Sequence, residues 1–285
     1  MAKFIIIALA VALTIFLLYV VFVHYFTSRR IVRAFIEGNV CVSGRKRYGK
    51  DILFQYVIKK RNDTYFANYS YGGDYTHIDP KELELTPNSY NEFINGNVTK
   101  LKKNDKLEGK DIYFSDAGII FPSQADSTLH KVYPSLPISY ALSGHLWANG
   151  IHMNAQRLER MWKALREQAD YYILIRKRRL ILPFFIVIFT TEYMKYESAL
   201  HELSPLGSRL FNKYSKAEMD KYKAQNGFIK NGFIVVPKWI IKYNTRAYHE
   251  IIFGDEAPKK EKINYLKCFI NIFKKKKSSN NEEDN

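Results

Sequence analysis

Cysteine is nearly missing: Cys41 and Cys268 are the two in 285 residues, far apart and each in an apolar context. That excludes a disulfide framework and any paired-cysteine zinc spacing, and it suits a reducing compartment. Acidic residues are also scarce, 28 against 44 basic ones, which leaves a net charge of +16 and a pI near 9.6. Such a surplus asks for an anionic partner, either nucleic acid or anionic lipid head groups. A membrane protein with its bulk in the cytoplasm carries the same surplus for a different reason. No internal repeat is present. The run LILPFFIVIF at 180–189 contains Pro183 and is too short to cross a bilayer as a helix, so it reads as central or paired strands.

One long apolar run remains. Phe4 to Val23 contains no charge and only Thr14 as a polar interruption. At about 1.5 Å per residue it makes a helix roughly 30 Å long, the thickness of a bilayer's hydrocarbon core. It is too long for the core of a cleaved signal peptide, and no small-x-small site follows it. His24, Tyr25 and Phe26 read as an interfacial belt. Only Lys3 precedes the run, whereas Arg29, Arg30, Arg33, Arg45, Lys46 and Arg47 follow it, so the remainder is expected in the cytoplasm.

Four parts are expected: an anchor over 1–28, a basic link over 29–37, one domain over 38–255, and a basic, partly disordered tail over 256–285. In the domain, strands at 39–43, 64–71, 111–115, 150–154, 171–175 and 180–190 alternate with helices at 51–60 and 156–168. The second of these helices sets Leu158, Met161, Trp162 and Leu165 on one face. Alternation of this kind predicts an α/β fold with a mainly parallel sheet flanked by helices. Residues 176–179 (RKRR) read either as a phosphate- or lipid-contacting group or as a solvated turn. Residues 263–273 read as a short interfacial helix or a last core helix.

Two motifs carry chemistry. The first is a strand, then Gly44-Arg45-Lys46-Arg47-Tyr48-Gly49-Lys50-Asp51-Ile52, then a helix. Apart from its last position this is G-x-x-x-x-G-K-[ST] in the context the motif needs. Glycines let backbone N–H groups converge on phosphate oxygens at the positive end of a helix, and Lys50 reaches the terminal phosphates. These residues are therefore expected to bind ATP in a P-loop NTPase, with Mg2+ beside them. The departure is Asp51, where a hydroxyl normally helps hold the metal. The second motif, Asp111-Ile-Tyr-Phe-Ser115-Asp116-Ala-Gly118, is an apolar strand ending in an acid, the general form of a Walker B. Aligned on the common Asp-Glu-Ala ending, Ser115 takes the metal-ligand position and Asp116 that of the water-orienting base. The metal-site carboxylate and hydroxyl are then exchanged between loop and strand, giving a metal set of Asp51, Ser115 and Asp116. The alternatives are a register with Asp116 as the metal ligand, and an eroded, inactive loop.

Beyond these motifs, residues 143–176, from Ser143-Gly-His145 through Gln156-Arg157-Leu-Glu-Arg160 and Arg166 to Arg176, resemble the region after Walker B in zonular occludens toxin-like proteins. Lys242-Tyr-Asn-Thr-Arg-Ala-Tyr248 is similar to the segment that often closes their ATPase domain. The resemblance covers roughly residues 38–250 in motif order. It implies a member of the HerA–FtsK group: an ATP hydrolase in the host cell membrane, single-pass with its ATPase domain cytoplasmic. It would form a homo-oligomeric ring that drives assembly and export of a filamentous phage's single-stranded DNA with its coat protein. By the same analogy Lys50, Asp116, Gln156, Arg160 and Arg166 are catalytic candidates, Gln156 as a γ-phosphate sensor and one arginine as a finger across a subunit interface. Gln156 also reads as a strand-end amide, and the arginines as solvated or DNA-facing charges. The chain departs from the family in having its membrane helix first, with no long domain after the ATPase region. A coupling ATPase for DNA transfer and a non-hydrolysing scaffold that binds DNA or coat protein are the competing functions.

Overall fold

In the computed structural model, residues 2–62, 64–72, 74–86, 90–91, 94–96, 104–181, 184–194 and 228–241 are described. They belong to one compact unit, Met1–Tyr243; a second, Asn244–Asn285, lies outside them. So do the expected tail, the 263–273 helix and the 242–248 segment.

Helix α1 (Ala2–Glu37) contains neither glycine nor proline and runs unbroken. Residues 29–37, expected as a link, are its last turns. Their polar positions hid an amphipathic face: Ile31 and Phe35 are fully buried and Ala34 nearly so. Burying side chains of that size contributes about 1.5–3 kcal/mol each. The stretch from Phe4 to Phe22 keeps its large apolar side chains exposed, and the helix is long and apolar enough to cross a membrane.

After Gly38 the chain enters β1 (Val40–Gly44), then the loop and helix α2 (Lys50–Arg61). The other strands are β2 (Tyr65–Ala67), β3 (Tyr75–His77), β4 (Ile112–Phe114), β5 (Ile151–Ala155), β6 (Tyr171–Ile181), β7 (Phe185–Tyr193) and β8 (Phe228–Pro237). They form a single sheet in the order β3-β2-β4-β5-β1-β6-β7-β8. All pairs from β3 to β6 are parallel, and β6-β7 and β7-β8 are antiparallel. The 180–190 run therefore forms paired strands, as its Pro183 suggested. Every residue of β1 and β5 is buried, as strands covered on both faces require.

One face packs Phe35 of α1 and Phe54 of α2 against Tyr113, with Tyr71 and Tyr65 completing the aromatic layer. The other carries the main apolar core, including Phe114, Phe121, Tyr140, Trp147, Leu158, Met161 and Trp162. Its short helices are α3 (Ala117–Ile120), α4 (Asp126–Val132), α5 (Leu136–Ala141), α6 (Ser143–Trp147) and α7 (Lys163–Arg166). The continuous helix expected over 156–168 is replaced by a 3-10 turn (Leu158–Arg160), an extended step and α7. The expected apolar face is buried nonetheless. What breaks the helix is competition for its backbone: Met161 bridges Pro122, and the Trp162 N–H donates to Phe121 O at 2.8 Å.

One further expectation changes. Residues 176–179 form no turn; they continue β6 beyond a bulge between Ile175 and Lys177. Helix α1 packs on β8, the last strand of the sheet: the Val235 N–H donates to His24 Nδ1 at 3.0 Å, and a Cβ at Gly232 would collide with Thr27. Covering an edge in this way removes a row of backbone groups open to mispairing.

Candidate nucleotide and metal site

The loop after β1 is built as its glycines and lysine predict. Gly49 lies at φ 98° and Arg47 at φ 68°, and Tyr48 N donates to Arg45 O at 3.1 Å. Alternating backbone handedness of this kind turns successive N–H groups inward, the geometry of an anion-binding nest. A Cβ at Gly44 would lie 3.0 Å from Ile175 O and 3.1 Å from Ile175 Cβ, so a larger residue there would have to push β6 aside by a few tenths of an ångström. Arg45, Lys46 and Arg47 are exposed, Tyr48 is half-buried and Ile52 is core. Lys50 is 5% exposed and donates to Gly44 O at 3.2 Å. Burial pulls its ammonium down from the ordinary lysine range, opposed by Asp51 and Asp116.

Parallel strands bring the second motif to the same edge. β5 lies between β1 and β4, so the acidic turn after β4 stands one strand away from the loop. There Ser115 Oγ donates to Asp51 Oδ1 at 2.7 Å. Asn154, at the end of β5, bridges the group: its Nδ2 donates to the same Asp51 oxygen at 2.9 Å, and its Oδ1 accepts from Asp116 N at 3.0 Å. Asn68 clamps Ser115 from the other side, with Ser115 N donating to Asn68 Oδ1 (2.8 Å) and Asn68 Nδ2 donating to Ser115 O (3.2 Å). Asp116 sits at φ 48°, a left-handed conformation that aspartate tolerates better than most residues. Burial raises its carboxyl above the usual range, Asp51 adds to that, and Lys50 and Lys46 oppose it. The Tyr69 and Tyr71 phenols crowd the Ser115–Asp51 pair, and burial, assisted by Asp51, drives both upward.

The donor set fits a hard cation. Mg2+ takes oxygen ligands, keeps several waters, and is held by one or two carboxylates together with substrate phosphates. Two carboxylates and a hydroxyl are what Asp51, Asp116 and Ser115 offer. Among the described residues no group of three or more His, Cys, Asp or Glu forms a closed metal cage.

The remaining candidates separate. Gln156 is half-buried, one residue beyond β5. Arg160 is exposed, and its Cβ is 3.4 Å from where a Cβ on Gly118 would stand, beside the acidic turn. Arg166 is turned to the backbone: Nη1 donates to Leu158 O, Glu159 O and Met161 O at 3.4, 2.7 and 3.1 Å. That clasp holds the turn together, which counts against Arg166 as a finger. Arg157 and His145 are exposed. Asn154 and Asn68 escaped the sequence reading. A lone asparagine in the buried strand IHMNA was the available signal, since a buried amide needs partners.

A glycine-lysine loop between the first strand and its helix, with an acidic strand end one strand removed in a mainly parallel sheet, defines the P-loop NTPase fold. Among solved structures, the fold is similar to the N-terminal domain of zonular occludens toxin from Neisseria meningitidis. That pair shares 11% identity over 74% of this chain and 97% of that one, with a TM-score of 0.37. It is also similar to the genome packaging NTPase B204 of Sulfolobus turreted icosahedral virus 2 bound to AMPPCP (16% identity, 70% and 99% coverage, TM-score 0.38). A third is the ATPase DotB of Legionella pneumophila (12%, 79% and 63%, TM-score 0.31). No protein-family model and no curated protein matches the chain.

Proposed function

We propose that this chain is a membrane-anchored ATPase whose metal-site carboxylate and hydroxyl have exchanged places between loop and strand. The observation that supports this is the 2.7 Å contact between Ser115 Oγ and Asp51 Oδ1, with Asn154 shared between Asp51 and the Asp116 backbone. An eroded loop would have no reason to keep a three-residue polar network at the nucleotide edge.

In this reading the loop N–H groups and Lys50 bind the triphosphate of ATP, and Lys50 neutralises charge as the terminal bond breaks. Asp51, Ser115 and Asp116 would hold Mg2+, which would supply positive charge to offset that of the triphosphate. Asp116, its carboxyl raised by burial, orients the attacking water and takes its proton. Gln156, one residue beyond β5, is the γ-phosphate sensor in this reading, and exposed Arg157 or Arg160 the finger across a subunit interface. The substrate polymer we propose is a filamentous phage's single-stranded DNA with its coat protein, moved by a homo-oligomeric ring at the host cell membrane. That assignment rests on the motif order over residues 38–250 and on the +16 charge.

The test is phosphate release by the full chain in lipid nanodiscs, with and without single-stranded DNA. Turnover stimulated by DNA and lowered by about two or more orders of magnitude in Lys50→Ala is expected. Equal release by wild type and Lys50→Ala, or none from either, would leave a binding scaffold instead.

A further inference from the structure

The sheet carries a projection that nucleotide chemistry does not use. β6 is level with the end of β1 at Ile175, which pairs with Gly44, yet it continues to Ile181. At about 3.3 Å per residue the β6-β7 hairpin therefore runs roughly 20 Å past the end of β1; at Arg178 and Ile188 it flanks Gly49 of the loop, and beyond them it projects. Its end is level with the end of β8, since Phe185 pairs with Pro237 and the Phe185 and Trp239 rings lie 5.8 Å apart.

The direction of that projection is fixed by α1. Going up β8, Lys230 pairs with Glu192, which holds Arg30; Gly232 meets Thr27; and Val235 donates to His24. Strand numbers rise as helix numbers fall, so the tip points toward the apolar N-terminal half of α1. Leu180, Phe184 and Trp239 are 57%, 60% and 63% exposed there. Arg179 and Lys238 are exposed beside them, whereas Arg178 lies lower, its Cδ 3.6 Å from where a Cβ on Gly49 would stand. No acidic residue occurs in 171–191 or 228–241.

We propose that this tip docks on an anionic lipid surface, seating Trp239, Phe184 and Leu180 among the head groups with the flanking cations on lipid phosphates. Tryptophan prefers that layer, aromatic and aliphatic side chains enter its apolar boundary, and juxtamembrane lysine and arginine are drawn to anionic lipid. The proposal rests on α1 as the anchor, which brings the tip to the bilayer. The docked hairpin then holds the phosphate-binding edge at a set distance from the membrane.

The chain contains its own probe. Of its three tryptophans, Trp147 and Trp162 are buried and Trp239 is exposed. The full chain is reconstituted into phosphatidylcholine vesicles with and without phosphatidylglycerol, using lipid brominated near the head group as a quencher. Roughly half of the Trp239 emission should be lost in anionic vesicles, and the quenching should vanish in Trp239→Phe. Arg179→Gln and Lys238→Gln should each weaken the anionic-lipid dependence about fivefold. Alkaline carbonate extraction tests the anchor separately. Protein that resists extraction while Trp239 stays unquenched overturns the docking and leaves the anchor standing. Protein that is extracted overturns the anchor; renewed Trp239 quenching when that protein is returned to anionic vesicles at neutral pH would support the tip as a lipid surface by itself, and no quenching there would overturn both.

Discussion

Swapping Asp51 and Ser115 is the most informative perturbation of the site. Ser115→Asp alone would set a second carboxylate where a hydroxyl now lies 2.7 Å from Asp51. Two like charges about 4 Å apart repel by about 4 kcal/mol at an effective dielectric near 20, part of it relieved by proton uptake. Asp51→Ser alone removes the acceptor shared by Ser115 Oγ and Asn154 Nδ2. Hydrogen bonds to a charged acceptor contribute about 1.5–3 kcal/mol each, less at a half-exposed position such as this. In the double exchange a carboxylate again meets a hydroxyl, with polarity reversed. The two changes should therefore couple by about 2–3 kcal/mol. The double variant should then turn over roughly 30–150 times faster than independent effects would give. Phosphate release and urea midpoints would be measured for wild type, both singles and the double in nanodiscs. If the logarithms of the single effects simply add, the two residues do not share one metal site, and the exchange is refuted.

Other expectations follow from the same contacts. Burial raises the Asp116 carboxyl, so the acid limb of turnover should lie above the ordinary carboxylate range; a pH profile with its limb near 4 would contradict this. A raised acid stabilises the fold below its unfolded pKa and loses that contribution as pH rises through the folded value. Asp116→Asn should accordingly lose turnover yet show a higher urea midpoint at pH 7, with the gain vanishing in acid. Arg166→Gln should lower stability by about 1–3 kcal/mol because three carbonyls lose their donor. The exposed Arg160→Gln should stay within about 0.5 kcal/mol. Unchanged melting of Arg166→Gln with abolished turnover would make it a catalytic arginine after all. Glu192, with its side chain 5% exposed, takes Arg30 in a two-pronged pair at 2.6 and 2.8 Å. Glu192→Ala should cost about 3 kcal/mol; a loss below about 0.5 kcal/mol in urea would show that α1 docks without it.

The loop was legible because its requirement is local: two glycines, a lysine, a strand before and a helix after. The strand bearing Asp111 to Ser115 was equally plain from its apolar run. The helix expected over 156–168 was misread for a physical reason. Leu158, Met161, Trp162 and Leu165 recur at helical spacing, yet a 3-10 turn followed by an extended step buries the same four side chains. Periodicity reports which residues face a core and does not report where the backbone finds its partners. A solvated turn was one of the two readings of the RKRR run because polar clusters usually are turns, whereas here a hairpin extends beyond its sheet. Asn154 was legible only as a buried amide in need of partners, and Asn68 not at all, because the partners Ser115 and Asp51 are distant in sequence.

The uninterrupted course of α1 has a mechanical consequence. A helix without glycine or proline from Ala2 to Glu37 offers no joint between its apolar end and Gly38, where the chain turns toward the strand that feeds the phosphate loop. Contacts at His24, Thr27, Ser28 and Arg30 brace it on β8, α2 and β7. It is an axle rather than a tether: any twist of the sheet must turn its shaft as well.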